Sequence, residues 1–153
     1  MKVNDRMLWI EIGVRGARTD ARRVERLALA ITDRDLEVIA RLAPIEVDDV
    51  AEAERAAVAL VSAHVGAGAG VLAGTDVHEV RGALAAHMPE LFGYLHYRNV
   101  DVATLRELVR RWYPDAYAAR PASPTSPSHD AIDAALAELR HYRAAVFRDE
   151  PAA

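Results

Sequence analysis

Residues 7–14 form a nearly unbroken apolar segment, and this segment constrains the fold more than any other feature of the chain. Apolar residues at consecutive positions over this length favour a strand that is covered on both faces. The polar residues 15–22 that follow indicate a turn. We therefore expect this strand to lie inside a sheet, with other elements packed on each side of it.

The later segments change from strand-like to helix-like periodicity. Strands are expected at 24–32 and 36–47, and the tight turn at 33–35 makes them hairpin partners beside the first strand. Helices and short strands then alternate, with helices at 50–65, 77–87, 104–112 and from 127 onward, and strands at 71–73 and 99–102. A loop rich in proline, serine and threonine is expected at 114–128. This order predicts an α/β fold of the RNase H-like type, with a mixed sheet flanked by helices.

Size and composition fit one globular domain. The chain has 153 residues, of which 52% are hydrophobic and 27% charged, and this is enough to bury a real core. We expect a single domain over residues 1–148 and a frayed tail at 149–153. Neither the apolar region of a signal peptide nor an apolar run of about 18 residues, as a membrane span needs, is found. A cytoplasmic location is therefore expected.

The charge and the lack of cysteine restrict the ligands. A net charge of −4 argues against a broad electrostatic contact with long nucleic acid, which usually needs a basic face. A short oligonucleotide remains compatible with this charge, because bound metal ions can supply positive charge locally. The sequence contains no cysteine, which excludes disulfides, thiolate chemistry and cysteine-based zinc sites.

Several motifs occur in the order and spacing of one known family. Residues 7–16 resemble its first catalytic motif, 31–33 and 137–143 match shorter elements, and 95–114 match its most recognisable segment. On these motifs the chain resembles the oligoribonucleases, which are DEDDh-type 3′→5′ exonucleases that degrade very short RNAs. The resemblance extends over most of the chain, and it implies the DEDDh exonuclease fold, a homodimer and a site for two metal ions.

The resemblance fails at the residues that would bind metal. The family's first motif supplies an Asp-x-Glu pair, and here the two positions hold Glu11 and Gly13. In the second motif, Val80 stands where the metal-binding Asp is expected. In the third motif, which reads His-x-x-x-x-Asp, the two positions fall on Ser126 and Ala131. A two-metal exonuclease needs several convergent carboxylates. The sequence therefore predicts no metal site and no metal cofactor.

Three residues are candidate remnants of the catalytic site. Glu11 could still reach a metal ion, although a strand-end carboxylate paired with an arginine is the simpler interpretation. His129 could be a general base that deprotonates water, although it also suits a solvated position in the first turn of a helix. Asp133 follows His129 with a spacing one residue shorter than in the family, so both need a shifted register.

Two acidic residues near Val80 are weak replacements for the missing Asp. Glu79 is expected to point well round the helix from Val80, since neighbouring helix residues face different directions. Asp76 lies one turn earlier, where it suits a helix cap.

Residues His96, Tyr97 and Arg98 are candidate ligand-binding residues. In the resembled family this tripeptide lies near the two-fold axis and contacts substrate phosphate in the neighbouring subunit, which implies a phosphate contact across a homodimer. The same segment packs the family's dimer interface, so assembly alone could explain its presence. Two departures weaken nucleotide binding: Ala17 stands where a large apolar residue wedges between bases, and a helical segment near residues 49–50 is missing.

The leading hypothesis is a homodimeric oligoribonuclease-like protein that has lost exonuclease catalysis and acts as a binding or interaction module. Its expected partners are a second copy of itself and a short oligonucleotide, nucleotide or other small ligand, with no membrane and no long nucleic acid. The alternative is an exoribonuclease that acts on very short RNA with Mg²⁺ or Mn²⁺ at a rebuilt site of Glu11, Asp76 or Glu79, His129 and Asp133. A third hypothesis is recruitment of the old cleft for unrelated small-molecule chemistry.

Overall fold

Within residues 5–16, 23–122 and 131–148, which the computed structural model describes, the chain forms a five-stranded mixed sheet with flanking helices. The strands are β1 Met7–Arg15, β2 Arg23–Thr32, β3 Val38–Glu46, β4 Gly70–Gly74 and β5 Leu95–Asp101. The helices are α1 Val50–Ser62, α2 Val77–His87, α3 Pro89–Phe92, α4 Val102–Trp112, α5 Pro114–Ala118 and α6 Ala131–Ala145. The predicted α/β fold with a mixed sheet is confirmed.

The central strand is β1, in a sheet of order β3-β2-β1-β4-β5. It pairs antiparallel with β2 and parallel with β4. The outer pairs follow the same division, since β2 and β3 are antiparallel and β4 and β5 are parallel. Leu8 and Trp9 of β1 are fully buried. The central position explains the apolar sequence of this strand, because both of its faces pack against other elements.

Alternate residues of β1 belong to two hydrophobic clusters, one on each face of the sheet. Leu8 and Ile10 pack in a cluster with buried residues of α1, α2 and α3, among them Leu84. Trp9 packs on the other face with residues of α4 and α6, among them Leu136. As a result, α2 and α6 lie on opposite faces of β1.

Three segments differ most from the sequence-based expectation. Strand β5 begins at Leu95 instead of residue 99, so residues 96–98 belong to the strand. Residues 114–118, which we expected in a loop, form α5, and residues 89–92, for which we expected no helix, form α3. Both short helices have proline in their first turn. Proline is tolerated there because the first N–H groups of a helix have no intrahelical partner.

A hydrogen-bonded ion pair joins α4 to α6. Arg106 donates from Nε and Nη2 to the two carboxylate oxygens of Glu138, both at 2.7 Å. Tyr142 donates its hydroxyl to the same carboxylate at 2.5 Å. Burial alone would raise the pKa of Glu138, but the hydrogen bonds from Arg106 and Tyr142 and the charge of Arg106 lower it below its ordinary value. These contacts hold α6, which begins at Ala131, against α4.

Some expectations concern residues outside the described ranges. The predicted start of the last helix near residue 127 and the tail at 149–153 lie there. Among the residues that are described, no helix combines the length and the apolar character needed to cross a membrane.

Candidate active-site cleft

A cleft opens where β1 continues past the end of β4. The parallel pairing of these strands runs from Met7 opposite Val71 to Trp9 opposite Ala73. Strand β1 then continues to Arg15, and its later residues border the cleft. The cleft has a volume of about 720 Å³ and lies between this part of β1, residues of α2 and the first residues of α6.

Small and apolar residues form most of the cleft wall. They are Trp9, Ile10, Ile12, Val14, Gly16, Ala73, Gly74, Val80, Gly82, Ala83, Ala86, Ala131, Ile132 and Ala135. The polar side chains of the wall are Glu11, Thr75, Asp76, Glu79 and His87. Among the described residues, no lysine or arginine lines the cleft. The described wall therefore combines an apolar surface with three carboxylates.

The structure brings three of the expected metal-ligand positions to this cleft. Glu11 from β1, Val80 from α2 and Ala131 from α6 line the same space. Their convergence agrees with the alignment of the three motifs that the sequence suggested. Val80 and Ala131 carry no atom that could bind a metal ion, and the remaining position, Gly13, has no side chain.

Gly13 lies opposite Arg26 of β2. A Cβ placed on Gly13 would lie 3.2 Å from the Cβ of Arg26. Residues that pair across two strands, and residues two apart along a strand, share a face of the sheet. Arg26 therefore lies on the same face as Glu11. The Nε of Arg26 is buried and donates no hydrogen bond.

Glu11 has a carboxylate oxygen without a partner. Its Oε2 is buried and accepts no hydrogen bond. The arginine ion pair that we expected for Glu11 is not formed within the described part of the chain, although Arg26 lies on the same face. A buried carboxylate oxygen that loses its water without gaining a donor costs free energy. Oε2 of Glu11 and Nε of Arg26 are therefore two buried polar atoms of one sheet face that make no hydrogen bond.

The other two carboxylates of the cleft lie at the start of α2. Asp76 is the N-cap residue of α2, as expected, although its backbone is left-handed with φ 56° and its side chain makes no capping hydrogen bond. Glu79, which we expected to point away from Val80, lines the cleft together with it. Among the described residues, no three Asp, Glu or His side chains are placed to hold one metal ion. This donor set does not fit a two-metal centre.

Asp133 is held in an ion pair and does not line the cleft. Asp133 accepts a hydrogen bond from Nη2 of Arg41 at 2.5 Å, which forms an ion pair between α6 and β3. Asp133 does not line the cleft, whereas Ala131 does. Among the described residues, Asp133 therefore does not join Glu11 in the cleft wall. His129 lies outside the described residues.

His96, Tyr97 and Arg98 lie on β5, and none of them lines the cleft. The ring centroids of His96 and Tyr97 are 4.3 Å apart, and the Arg98 guanidinium lies 5.6 Å from the Tyr97 ring centroid. Tyr97 is 76% exposed. Arg81 of α2 supports the strand by donating to the side-chain oxygen of Asn99 and to the carbonyl of His96, each at 2.7 Å.

Two further cleft residues were not indicated by the sequence. Trp9 lies two residues before Glu11 on the same face of β1, and its Nε1 donates to the Thr32 hydroxyl at 2.9 Å. The alternation of side chains along β1 could have indicated Trp9. His87 is the last residue of α2 and also lines the cleft. Its location at the cleft depends on how α2 packs beside β1, and no local pattern in the sequence indicates that packing.

Comparison with known proteins gives a consistent set of relatives. A family model described as Exonuclease matches residues 29–142, so the match begins after β1. A protein of Streptomyces griseus named oligoribonuclease is 34% identical over 183 aligned positions, which cover 97% of this chain and 90% of that protein. A protein with the same name from Rhodococcus jostii (strain RHA1) is 31% identical, and the alignment covers 97% of this chain and 92% of that protein. Another from Shewanella baltica (strain OS155) is 30% identical, and the alignment covers 93% of this chain and 96% of that protein.

The alignments also indicate where this chain is shorter. The Streptomyces griseus protein aligns over 183 positions with a chain of 153 residues, so at least 30 of those positions are gaps in this chain. This difference is consistent with the segment that we expected to be missing near residues 49–50.

Proposed function

Because the chain belongs to the exonuclease family and is a shortened relative of the oligoribonucleases, we propose that it is a member that no longer hydrolyses RNA. One observation carries this proposal. Val80 and Ala131 line the cleft at the positions where the family's metal-binding Asp residues are expected. Together with Gly13, they leave Glu11 as the one carboxylate at the expected ligand positions.

The chemistry of the reaction explains why these losses matter. Two divalent ions must be held by several oxygen ligands, and each must keep open positions for water and phosphate. Metal ions bound in this way would activate the attacking water and stabilise the charge on the phosphate. Glu11 alone cannot hold two ions, and Asp76 and Glu79 do not converge with it on one position. What remains is a cleft that can bind a ligand through Glu11 and its apolar wall.

We also propose that the protein acts as a homodimeric binding module. Large aromatic side chains are exposed on β5 and at the end of α4, with Tyr97 76%, Trp112 66% and Tyr113 47% exposed. A second copy related by a two-fold axis would cover these apolar surfaces. The resemblance of residues 95–114 to the interface segment of the oligoribonucleases supports the same location here. His96 and Arg98 would then reach the cleft of the second copy.

A second candidate function is a metal-dependent 3′→5′ exoribonuclease with a rebuilt site. It is favoured by the three carboxylates, Glu11, Asp76 and Glu79, that line one cleft, and by the unpartnered oxygen of Glu11. The oligoribonucleases among its relatives favour a very short RNA as the substrate. Asp133 is paired with Arg41 and does not line the cleft, so this site has one carboxylate fewer than the sequence suggested.

Turnover of a labelled di-ribonucleotide by the purified protein in Mn²⁺ distinguishes the two candidates. We expect no cleavage by the wild type above the rate in buffer. Cleavage that is abolished by Glu11→Ala or His129→Ala, and retained in the control variant Asp133→Asn, would replace the first proposal with the second.

A further inference from the structure

A second pocket lies at the C-terminal end of α6. Its volume is about 360 Å³, and the described residues that line it are Arg140, Arg143, Ala144, Phe147 and Arg148. None of these residues lines the active-site cleft, which α6 reaches with Ala131 at its other end. Because an α-helix rises about 1.5 Å per residue, Arg143 lies roughly 18 Å farther along α6 than Ala131. The pocket is therefore a separate site.

Helical spacing brings the side chains of this pocket to one face of α6. Arg143 lies three residues after Arg140, and Phe147 lies four residues after Arg143. Residues at these separations are neighbours on the surface of a helix. Phe147 lies just beyond α6, but its N–H group donates to the Tyr142 carbonyl at 3.0 Å, so the last turn continues past the end of the helix.

The turn between β2 and β3 holds two of the arginines in place. Arg140 donates from Nη2 to the Leu36 carbonyl at 2.5 Å. Arg143 donates from Nη1 to the Asp35 carbonyl at 3.1 Å and from Nη2 to the Asp35 carboxylate at 2.8 Å. A guanidinium has more N–H donors than these contacts use, so donors remain for a ligand. Since both side chains are already held, less conformational entropy is lost when an anion binds.

The pocket is positively charged although the chain as a whole is negative. The net charge is −4, yet no Asp or Glu among the described residues lines the pocket. The carboxylate of Asp35 pairs with Arg143 alone, and this pair is exposed to solvent. The C-terminal end of a helix carries about half of one negative charge, which three guanidinium groups outweigh together with Asp35. The pocket therefore attracts an anion.

Arginine and phenylalanine together indicate which kind of anion fits. Planar guanidinium groups form paired hydrogen bonds with phosphate oxygens. The Phe147 side chain is 52% exposed and offers an apolar surface on which a second planar ring can stack. An acidic peptide would also contact the arginines, but it has no ring to cover Phe147. The volume of about 360 Å³ lies within the range of roughly 300–1,000 Å³ that is typical of small-molecule sites.

We propose that this pocket binds a small phosphorylated compound with a planar aromatic ring, such as a mononucleotide. The phosphate contacts Arg143 and Arg148, and the ring stacks on Phe147. This binding site goes beyond the proposed function, because it shares no residue with the cleft and does not depend on whether the cleft hydrolyses RNA.

Four compounds separate the contribution of the phosphate from that of the ring. AMP, adenosine, ribose 5-phosphate and inorganic phosphate are titrated into the full-length protein in EDTA. Binding is followed by the backbone amide NMR signals of residues 143–148, and the Trp9 indole N–H, assigned with a Trp112→Phe variant, reports on the cleft. We expect AMP to shift the signals of residues 143–148 but not the indole signal. AMP should bind at least about fivefold more tightly than each of the other compounds.

Substitutions test each contact in turn. Phe147→Ala should lower the affinity for AMP to near that for ribose 5-phosphate, whose own affinity should change by less than about twofold. Arg148→Gln should weaken AMP and ribose 5-phosphate by at least about threefold and adenosine by less than about twofold. The control Arg55→Gln removes the same charge from an exposed position of α1, which packs on the opposite face of the sheet from α6, and should change AMP binding by less than about twofold.

The acidic residues after Arg148 provide a further test. Asp149 and Glu150 follow it in the sequence and lie outside the described residues. Negative charges close to the pocket oppose the binding of an anion, so Asp149→Asn/Glu150→Gln should strengthen AMP binding by at least about twofold. Binding of AMP by this variant and not by the wild type would show that the acidic tail occupies the pocket, and it would overturn the proposal.

Other outcomes also contradict the proposal. These are the absence of AMP binding, equal affinities of the wild type, Phe147→Ala and Arg148→Gln, and a shift of the Trp9 indole signal without a shift at residues 143–148. Tighter binding of a hexa-aspartate peptide than of AMP would make the pocket a site for acidic peptides instead. Should Phe147→Ala not fold by circular dichroism, Arg148→Gln and Phe147→Leu serve as the test, with a loss of AMP affinity expected from each. The turnover of a di-ribonucleotide, which tests the proposed function, does not affect any of these results.

Discussion

Gly13 of β1 and Arg26 of β2 lie directly opposite each other, and a Cβ on Gly13 would approach the Cβ of Arg26 to 3.2 Å. The family's Asp-x-Glu motif has its second carboxylate at the position of Gly13. A glutamate there would lie beside a guanidinium instead of facing only metal ions. The loss of this carboxylate and the presence of Arg26 therefore act together, because both reduce the negative charge available to hold metal near Glu11.

Restoring the expected ligands alone should not restore a strong metal site. In the quadruple variant Glu11→Asp, Gly13→Glu, Val80→Asp and Ala131→Asp, the introduced glutamate should pair with Arg26. Adding Arg26→Ala should raise the affinity for Mn²⁺ by at least about tenfold in a calorimetric titration. Both variants should cleave di-ribonucleotides only weakly, since the base-wedging residue and the missing segment are not restored. Equal Mn²⁺ affinities of the two variants would contradict this role of Arg26.

The wild type should lack a pair of tight metal sites. Glu11 has no second convergent carboxylate at the positions of Gly13, Val80 and Ala131. A calorimetric titration with Mn²⁺ should therefore show no two sites of micromolar affinity. Two such sites that disappear in Glu11→Gln, and persist in the control Asp133→Asn, would disprove this prediction.

Most of the fold could be predicted because the periodicity that specifies each element is local. Helix α2, Val77–His87, has the bounds that helical spacing indicated, and β1 differs from the expected strand by one residue. The first half of β5 was missed because β5 is an edge strand on which Tyr97 and Arg98 are exposed and His96 is only partly buried, so these residues lack the apolar pattern of a covered strand. Helix α5 was missed because proline suggested a loop, although it also suits a first turn.

The candidate site could be predicted only where its motifs are local. Val80 and Ala131 could be predicted at the cleft because each was located by a short motif within its own helix, and both line the cleft. The surroundings of Glu11 depend on the β1–β2 register and on the end of β4, which no short motif specifies. Asp133 was misassigned because the direction of its side chain depends on how α6 packs beside Arg41 of β3.

The protein should be a dimer whose interface includes the exposed aromatic residues of β5 and α4. Light scattering at micromolar concentration should give twice the mass of the chain for the wild type. The double variant Tyr97→Ala/Trp112→Ala should give a monomer, because it removes apolar surface that a second copy would cover. The control Phe147→Ala, which changes a residue that is 52% exposed beyond α6, should remain a dimer. A monomeric wild type would refute the proposed interface.

The contact between Arg106 and Glu138 should make the stability of the fold depend on pH. The pKa of Glu138 is lowered in the folded protein, so its carboxylate stabilises the fold above its unfolded pKa of about 4.3. This stabilisation should disappear as the pH falls through the folded pKa. Glu138→Gln should lower the free energy of unfolding by about 1–3 kcal/mol near neutral pH, a modest value because the Arg106 side chain is 34% exposed and partly solvated.

Urea unfolding between about pH 7 and about pH 3 measures this effect. The difference in free energy of unfolding between the wild type and Glu138→Gln should shrink as the pH falls, because protonation removes from the wild type the same charge that the variant lacks. The control Glu107→Gln changes an exposed carboxylate paired with Arg110 on the surface of α4 and should alter the stability little. A difference that stays constant across this pH range would mean that Glu138 stabilises the packing of α4 against α6 by its shape and not by its charge.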